Sequence, residues 1–223
     1  FYVAFGTMRW DWRPMMWAIA IVSMLLGSLL AVTQTDIKRM LAYSSVAHSG
    51  FLLLGIVATT SSGISATLFY LLAYSFTTLG AFAIVSLVRD PSGEATHLSS
   101  WAGLGKKSPV VAGLFAFFLL SLAGIPLTSG FTAKFAIFGS AIDGGATALV
   151  IVAVISSAIA AFFYARVIVL MFFSDAPEND VVVVVPSALT KISLAVSFAV
   201  TLLLGVLPEQ VIEIVARTGL FIR

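Results

Sequence analysis

Long apolar stretches constrain this chain more than any other feature of its sequence. A helix that crosses a bilayer needs about 20 consecutive residues that are mostly apolar. Six windows of the sequence meet that requirement: 15–33, 37–60, 64–88, 110–142, 146–173 and 188–207. The connections between them are short and polar, and the longest polar stretch is 89–107. The pattern predicts an all-α integral membrane fold, with six transmembrane helices in a single transmembrane domain over 1–223.

The composition agrees with a chain that faces lipid. Hydrophobic residues make up 60% of the sequence and charged residues only 10%, and the mean hydropathy is +1.10. A soluble domain typically carries about 25% charged residues. The absence of cysteine excludes disulfides and cysteine-ligated iron–sulfur clusters. The net charge of +2 comes without a long basic run, so nucleic-acid binding has almost no support.

The beginning of the sequence suggests a piece of a longer protein. The chain starts at Phe1 and not at Met, and its first residues, FYVAFG, resemble the end of an apolar helix. A charged segment followed by a small-residue cleavage site would indicate a signal peptide, and the sequence has no such pattern here. We therefore expect the chain to be a fragment of a longer subunit.

The window 110–142 is too long for one straight span. Its 33 residues would form a helix of about 50 Å, whereas the hydrocarbon core is only about 30 Å thick. Gly124, Pro126 and Gly130 lie in its middle, and proline removes a helical hydrogen bond and clashes with the preceding turn. The sequence therefore predicts a fourth helix that is broken near Gly124–Gly130. Such breaks commonly mark ion pathways in transporters, because irregular backbone at membrane depth must lie inside protein or beside water.

Lys134 is the charged residue that follows the predicted break. The sequence places no other charged residue within eight positions of it on either side. Burial disfavours the charged form of an amine, so a buried lysine can gain and lose a proton near neutral pH. Ionisable residues inside membranes are functional as a rule, and we predict that Lys134 carries protons. The alternative is a lysine whose side chain reaches out to the membrane interface.

Two further polar groups fall near the centre of their windows. His48 lies eleven residues into the second window, about 16 Å along a helix, and an imidazole that titrates near neutral pH suits a proton relay. Tyr74 is similarly deep in the third window, close to Ser75, Thr77 and Thr78. The alternative for both is a neutral side chain in an ordinary hydrogen bond between helices.

Other polar residues have weaker claims. Tyr43, Ser44 and Ser45 lie about one turn before His48 and could extend a polar track. Arg166 lies about two turns from the end of the fifth window, where an arginine that reaches to the interface is the simpler interpretation.

Two stretches of the sequence resemble a known family. The first is QTDIKRMLAYSSVAHSGFLLLGIVA, Gln34 to Ala58, and the second is LAGIPLTSGFTAKF, Leu122 to Phe135. Both are similar to signatures of the antiporter-like membrane subunits of respiratory complex I, at the separation usual in that family. The resemblance covers essentially the whole chain. It implies the C-terminal portion of such a subunit, consisting of the second inverted five-helix repeat of an antiporter-like fold and a final helix.

Three details favour the N branch of this family, the type that corresponds to mitochondrial NADH dehydrogenase subunit 2. The broken helix carries Lys134, where the M branch usually has glutamate. The third window carries Tyr74, near where the M and L branches have histidine. No long lateral helix follows the sixth window, although the L branch carries one.

The resemblance also implies a role. Other subunits would oxidise NADH and reduce quinone, and that energy would drive protons through this chain, which would be a non-redox subunit of the enzyme. Lys134 would be the proton carrier, His48 would line the pathway, and Tyr74 would line it with weaker support. No cofactor is expected in this chain; NADH, FMN, iron–sulfur clusters and quinone would be bound elsewhere in the complex. The implied partners are other membrane subunits of complex I, related antiporter-like subunits among them, and the lipid of a bacterial inner membrane, which the chain would cross several times.

Two other functions remain open on the sequence alone. A subunit of a multi-subunit cation/proton antiporter would share both signatures, so these motifs do not separate the two. A passive membrane scaffold is the third interpretation, and it would not depend on Lys134.

Overall fold

The computed structural model describes residues 6–91, 93–176 and 181–218. Its α-helices, in chain order, are α1 Arg9–Val32, α2 Ile37–Val57, α3 Ser61–Leu87, α4 Leu104–Lys107, α5 Pro109–Ala123, α6 Ser129–Asp143, α7 Thr147–Phe173, α8 Ala188–Val206 and α9 Glu209–Thr218. Short 3₁₀ helices cover Gly6–Met8 and Leu98–Trp101, and the strands are β1 Val88–Asp90, β2 Gly93–Glu94 and β3 Val182–Val183.

Five helices within the described residues are long and apolar enough to cross a membrane, namely α1, α2, α3, α7 and α8. The predicted fourth window is divided between α5 and α6, which have 15 residues each. Each is about 22 Å long, shorter than the hydrocarbon core of about 30 Å. The predicted break near Gly124–Gly130 is therefore confirmed. The count of six spans treats α5 and α6 together as one broken span, and that count stays a prediction.

The helix ends differ from the predicted windows by a few residues. The first helix begins at Arg9 and not at 15. The charged residues of its first turn lower the local hydropathy and so lie outside the apolar window, but they do not prevent helix formation. The second ends at Val57 and not at 60. The third begins at Ser61, since the hydroxyl of Thr60 accepts a 3.0 Å hydrogen bond from the backbone N–H of Gly63 and so caps the helix.

A small antiparallel sheet corrects the prediction of an entirely helical fold. Its strand order is β2-β1-β3, with Arg89 opposite Glu94 and Val88 opposite Val183. The third strand comes from a run of valines over 181–185, which are β-branched and fit a pleated strand. Strands of two or three residues carry too little alternation to be recognised in a sequence. The fold is nearly all-helical, and the sheet joins the segment after α3 to the segment after α7.

A short amphipathic helix, α9, was also not predicted. Its ten residues would cover only about 15 Å, so it cannot cross a membrane. It packs against α3, where the hydroxyl of Ser65 donates to the carbonyl of Val215 at 3.4 Å.

Helix α2 lies at the centre of the bundle, in contact with α1, α3, α6 and α7. One end of α2 is tied to α6 by Arg13 of α1. The Nε atom of Arg13 donates to the carbonyl of Val57 at 3.0 Å, and its Nη2 atom donates to the carbonyl of Gly144 at 2.7 Å. The C-terminal ends of α2 and α6 are thus held together by one side chain. These are the helices that carry His48 and Lys134.

Candidate functional site

The break between α5 and α6 has a defined backbone geometry. Gly124 follows the last residue of α5 with φ +87°, the left-handed conformation that glycine adopts most readily. The N–H of Gly124 donates to the carbonyl of Ser121 and that of Ile125 to the carbonyl of Leu120, both at 3.0 Å. This is a Schellman motif. It occupies two of the last four carbonyls of α5 and leaves those of Leu122 and Ala123 for other donors.

Lys134 supplies those donors. Its Nζ atom donates to the carbonyl of Leu122 at 3.0 Å, to the carbonyl of Ala123 at 2.8 Å and to the hydroxyl of Ser157 on α7 at 2.8 Å. An ammonium has three N–H donors, so each of them has a partner. The residue is only 6% exposed. Its side chain is therefore folded into the break and does not extend to an interface.

The helix end also suits a positive group. Carbonyls at a helix C-terminus carry the negative end of the helix dipole and attract cations. The Nζ atom of Lys134 lies 5.4 Å from the centre of the Phe51 ring, a distance at which a cation is attracted by the ring face. The sequence predicted Lys134 but not Ser157 or Phe51. Ser157 stands in the apolar helix α7 as part of a Ser-Ser pair, and that pair was the available signal.

His48 is 3% exposed and packs among aromatic rings. Its Nδ1 atom is 2.8 Å from the hydroxyl of Tyr70. Its ring stacks on Tyr74 with centroids 4.6 Å apart, and it meets Phe51 edge-on at 5.5 Å. The Nε2 atom is buried and has no hydrogen-bond partner among the described residues. Phe51 thus contacts both His48 and Lys134, and the two predicted site residues are linked through this ring and not by a direct hydrogen bond.

A small cavity of about 10 Å³ adjoins these rings. Its walls come from α2, α3, α5 and α6: His48, Tyr70, Ala73, Tyr74, Thr77, Ser121, Leu122, Gly130 and Ala133. About one water fits a polar cavity of this size. His48 and Tyr74, the predicted pathway residues, therefore share one cavity with the beginning of the broken segment.

Four buried hydroxyls meet beside the cavity, one each from α3, α5, α6 and α8. The Oγ1 atom of Thr77 lies 3.4 Å from Ser121 Oγ, 3.4 Å from Ser129 Oγ and 3.3 Å from Thr201 Oγ1. Thr77 donates its own proton to the carbonyl of Ala73 at 2.8 Å, so its two remaining lone pairs accept from at most two of the other three hydroxyls at a time. The sequence indicated Thr77, but the other three hydroxyls come together only through the packing of the helices.

The weaker sequence candidates have different positions. The hydroxyls of Ser44 and Tyr164 are in contact, and both residues are buried. Ser75 is exposed and donates to the carbonyl of Leu71 within its own helix, at 2.7 Å. Arg166 is exposed and donates to the carbonyls of Val32 at 3.1 Å and Gln34 at 3.0 Å, which closes the C-terminus of α1.

The fold and this site can be compared with known proteins. A chain in the structure "Respiratory complex I from Thermus thermophilus with bound Aureothin" is 30% identical, with a TM-score of 0.78 over 90% of this chain and 45% of that chain. A chain in the Mrp complex from Dietzia sp. is 26% identical, with a TM-score of 0.80 over 94% of this chain and 47% of that chain. Both structures therefore contain the same helical arrangement.

Curated relatives point the same way. NADH-quinone oxidoreductase subunit N 3 of Streptomyces griseus is 61% identical over the whole of this chain and 40% of its own length. The chain thus spans about two fifths of the curated relatives it matches. The model of the family described as "NADH:quinone oxidoreductase/Mrp antiporter, TM" matches residues 1–160, which include α1 to α6 and the break that holds Lys134. The chain belongs to this family of NADH:quinone oxidoreductase and Mrp antiporter membrane proteins.

Proposed function

We propose that this chain is part of a proton-translocating membrane subunit of an NADH–quinone oxidoreductase. The observation that carries the proposal is Lys134, a lysine buried in the break between α5 and α6 whose donors all meet neutral oxygens. A relative named subunit N of that enzyme is 61% identical over the whole chain. The chain would form a single transmembrane domain, with α1 to α7 as the second inverted repeat and α8 as the final helix.

Lys134 is the proton carrier in this proposal. Its ammonium matches three acceptors, whereas a neutral amine offers only two donors and one lone pair. Loss of a proton therefore leaves one of the three oxygens without a donor, so the amine favours a new position or a new neighbour. This difference between the two states lets proton transfer move the side chain.

His48 and Tyr74 line the pathway in the same proposal. The centre of the Phe51 ring lies 5.4 Å from Nζ of Lys134 and 5.5 Å from the centre of the His48 ring. A proton that passes between Lys134 and His48 therefore needs water or a movement of the lysine around Phe51. The cavity lined by His48 has room for about one water, and it is also lined by Leu122, whose carbonyl accepts from Lys134.

The redox chemistry lies outside this chain in the proposal. NADH, FMN, iron–sulfur clusters and quinone would bind other subunits of the complex. This subunit would lie in a bacterial inner membrane, beside related antiporter-like subunits. Helix faces that carry small residues suit such packing within a membrane.

A subunit of a multi-subunit cation/proton antiporter is the alternative. It is favoured by the similarity to a chain of the Mrp complex, with a TM-score of 0.80. Identity to that chain is 26%, compared with 61% to the subunit N relative. We therefore favour a subunit of the redox enzyme over a subunit of an antiporter.

One experiment separates these functions. The whole subunit is tagged, and the complex that co-purifies is reconstituted into vesicles. The proposal expects flavin and iron–sulfur subunits in the complex, and NADH-driven proton pumping that falls sharply when Lys134 is replaced by Met. A complex that exchanges sodium for protons and lacks flavin would support the antiporter instead. Unchanged pumping in the Met variant would support a passive scaffold.

A further inference from the structure

The oxygens around Lys134 are positioned by the backbone and by neighbouring helices. The carbonyls of Leu122 and Ala123 are fixed because α5 ends at the Schellman motif of Gly124. The third oxygen, of Ser157, belongs to α7. The ring of Phe51, on α2, is the fourth group close to the ammonium. None of these groups is carried by α6, the helix of Lys134, so the site does not depend on the lysine for its placement.

The charges around this site favour a single positive charge. The ion pairs found among the described residues are Lys38–Glu94 and Lys106–Asp175, and neither includes Lys134. The ammonium is therefore held by dipoles, namely two carbonyls at the negative end of a helix, one hydroxyl and one aromatic ring. Dipoles without a carboxylate suit a monovalent cation. Hard divalent ions take six or more oxygens, usually with carboxylates among them.

The distances suit an ammonium group in particular. The three Nζ–oxygen distances are 2.8, 2.8 and 3.0 Å, which are ordinary lengths for hydrogen bonds from N–H to oxygen. Three acceptors that converge on one nitrogen match the three donors of a primary ammonium. Gly124 leaves the necessary room, since a Cβ atom there would lie 3.2 Å from Nζ.

We propose that the carbonyls of Leu122 and Ala123, the hydroxyl of Ser157 and the ring of Phe51 form a binding site for a small primary ammonium ion. The Nζ atom of Lys134 is its tethered occupant. A free ammonium of the same class, such as methylammonium, binds the site when the lysine is shortened to alanine. The proposal concerns the same lysine as the proposed function but rests on these contacts alone, so either can fail without the other.

The test measures thermal stability and does not use pumping. The complex that contains the whole subunit is purified with Lys134→Ala, and its Tm is measured in methylammonium chloride and in choline chloride at equal concentration. Choline has no N–H donors and is too large for the site. Since a ligand that binds only the folded state stabilises it, we expect methylammonium to raise the Tm of the variant by about 2 °C or more over choline. In the wild type the site is occupied, so the two salts should give the same Tm.

Two further variants test the location of the effect. Lys134→Met fills the site with a side chain of similar length, and Lys134→Ala combined with Ser157→Ala removes one of the oxygens. Both should lose most of the difference between methylammonium and choline. Equal Tm values in the two salts for Lys134→Ala, or a difference that persists in Lys134→Met, would overturn the proposal. Sodium chloride that stabilises Lys134→Ala as well as methylammonium does would overturn the assignment to ammonium ions.

If Lys134→Ala assembles too poorly for a Tm measurement, a second measurement tests the proposal. The yield of monodisperse complex then becomes the measurement, with methylammonium or choline present throughout purification. A higher yield in methylammonium, absent in Lys134→Met, supports the site. Equal yields in the two salts contradict it.

Discussion

The side chain of Lys134 occupies the space that a side chain at Gly124 would need, across the break in the fourth window. A Cβ atom added to Gly124 would lie 2.9 Å from Cδ of Lys134 and 3.2 Å from its Nζ atom. Gly124 also has φ +87°, where a residue with a side chain is strained. Gly124 therefore ends α5 and also leaves room for Lys134, whose ammonium donates hydrogen bonds to the last two carbonyls of α5.

Gly124→Ala should destabilise the protein and displace the lysine. The left-handed conformation alone costs an alanine about 1–2 kcal/mol, and the contact with Cδ adds to this. We expect a lower Tm and lower pumping activity. Gly113→Ala is the matched control, because Gly113 lies in the same helix and a Cβ there would meet no atom within 4 Å. That control should leave stability unchanged or raise it by about 0.5–1 kcal/mol. A Gly124→Ala variant as stable as the control would contradict the role given to this glycine.

The sequence predicted the break and its lysine because both depend on local chemistry. Gly124 and Pro126 are incompatible with a continuous helix, and a lone charge at Lys134 stands out in an apolar window. Ser157 could not be assigned in this way. It lies 23 residues beyond Lys134, and only the packing of α7 beside α6 brings the two together.

The small sheet and the cluster of hydroxyls around Thr77 also could not be predicted from the sequence, because both depend on contacts between distant segments. Val88 and Val183 pair across almost a hundred residues of sequence, and neither belongs to a strand long enough to recognise. The sequence predicted Thr77 to lie deep in the third window. Thr201, however, is one of several polar residues in α8, and only its distance of 3.3 Å to Thr77 distinguishes it from the others.

Tyr70 and Tyr74 should respond differently to the loss of their hydroxyls. The hydroxyl of Tyr70 is 2.8 Å from Nδ1 of His48, so Tyr70→Phe leaves a buried ring nitrogen without its partner. This should cost about 1–3 kcal/mol of stability. Tyr74 contacts His48 by stacking, and Tyr74→Phe keeps that contact. It should change the Tm little, and a loss of pumping in this variant would therefore report on the hydroxyl itself.

Unfolding and pumping, measured for both tyrosine variants in the same complex, test this assignment. A Tyr74→Phe variant with full pumping would remove Tyr74 from the pathway. A Tyr70→Phe variant with unchanged stability would show that the bond to His48 contributes nothing.

Asp36 should make stability depend on pH at the start of α2. Its carboxylate accepts a 2.9 Å hydrogen bond from the N–H of Arg39 and caps the helix. Partial burial opposes ionisation, but the N–H groups of Arg39 and Lys38, the hydroxyl of Thr96 and the charge of Arg39 together lower the pKa of Asp36 below its ordinary value of 3.8. A lowered pKa in the folded state means that ionised Asp36 stabilises the protein above the pKa of the unfolded chain. That contribution is lost as the pH falls through the folded pKa.

Asp36→Asn separates the charge from the cap, because asparagine caps helices about as well as aspartate. The wild type should have the higher Tm near neutral pH, and the difference should disappear as the pH falls below 3.8. Asp36→Ala also removes the cap and should cost about 0.5–2 kcal/mol near neutral pH, with a smaller cost once the carboxyl of the wild type is protonated. A difference between wild type and Asp36→Asn that stays constant with pH would rule out the linkage to this carboxylate.

The order of effects at Lys134 decides between a proton carrier and a structural cation. Lys134→Met keeps the length of the side chain and removes both the charge and the N–H donors. Lys134→Arg keeps the positive charge, but the arginine side chain does not release its proton in proteins. If Lys134 carries protons, both variants should lose most NADH-driven pumping, and Arg should be nearly as damaging as Met. If the lysine only satisfies the carbonyls of Leu122 and Ala123, Arg should be tolerated and Met should be harmful. Pumping in vesicles is measured for both variants and divided by the amount of assembled complex, so that loss of stability is not counted as loss of transport. Wild-type pumping in the Arg variant would remove proton transfer by Lys134 from the mechanism, because an arginine at that position holds its proton throughout the cycle.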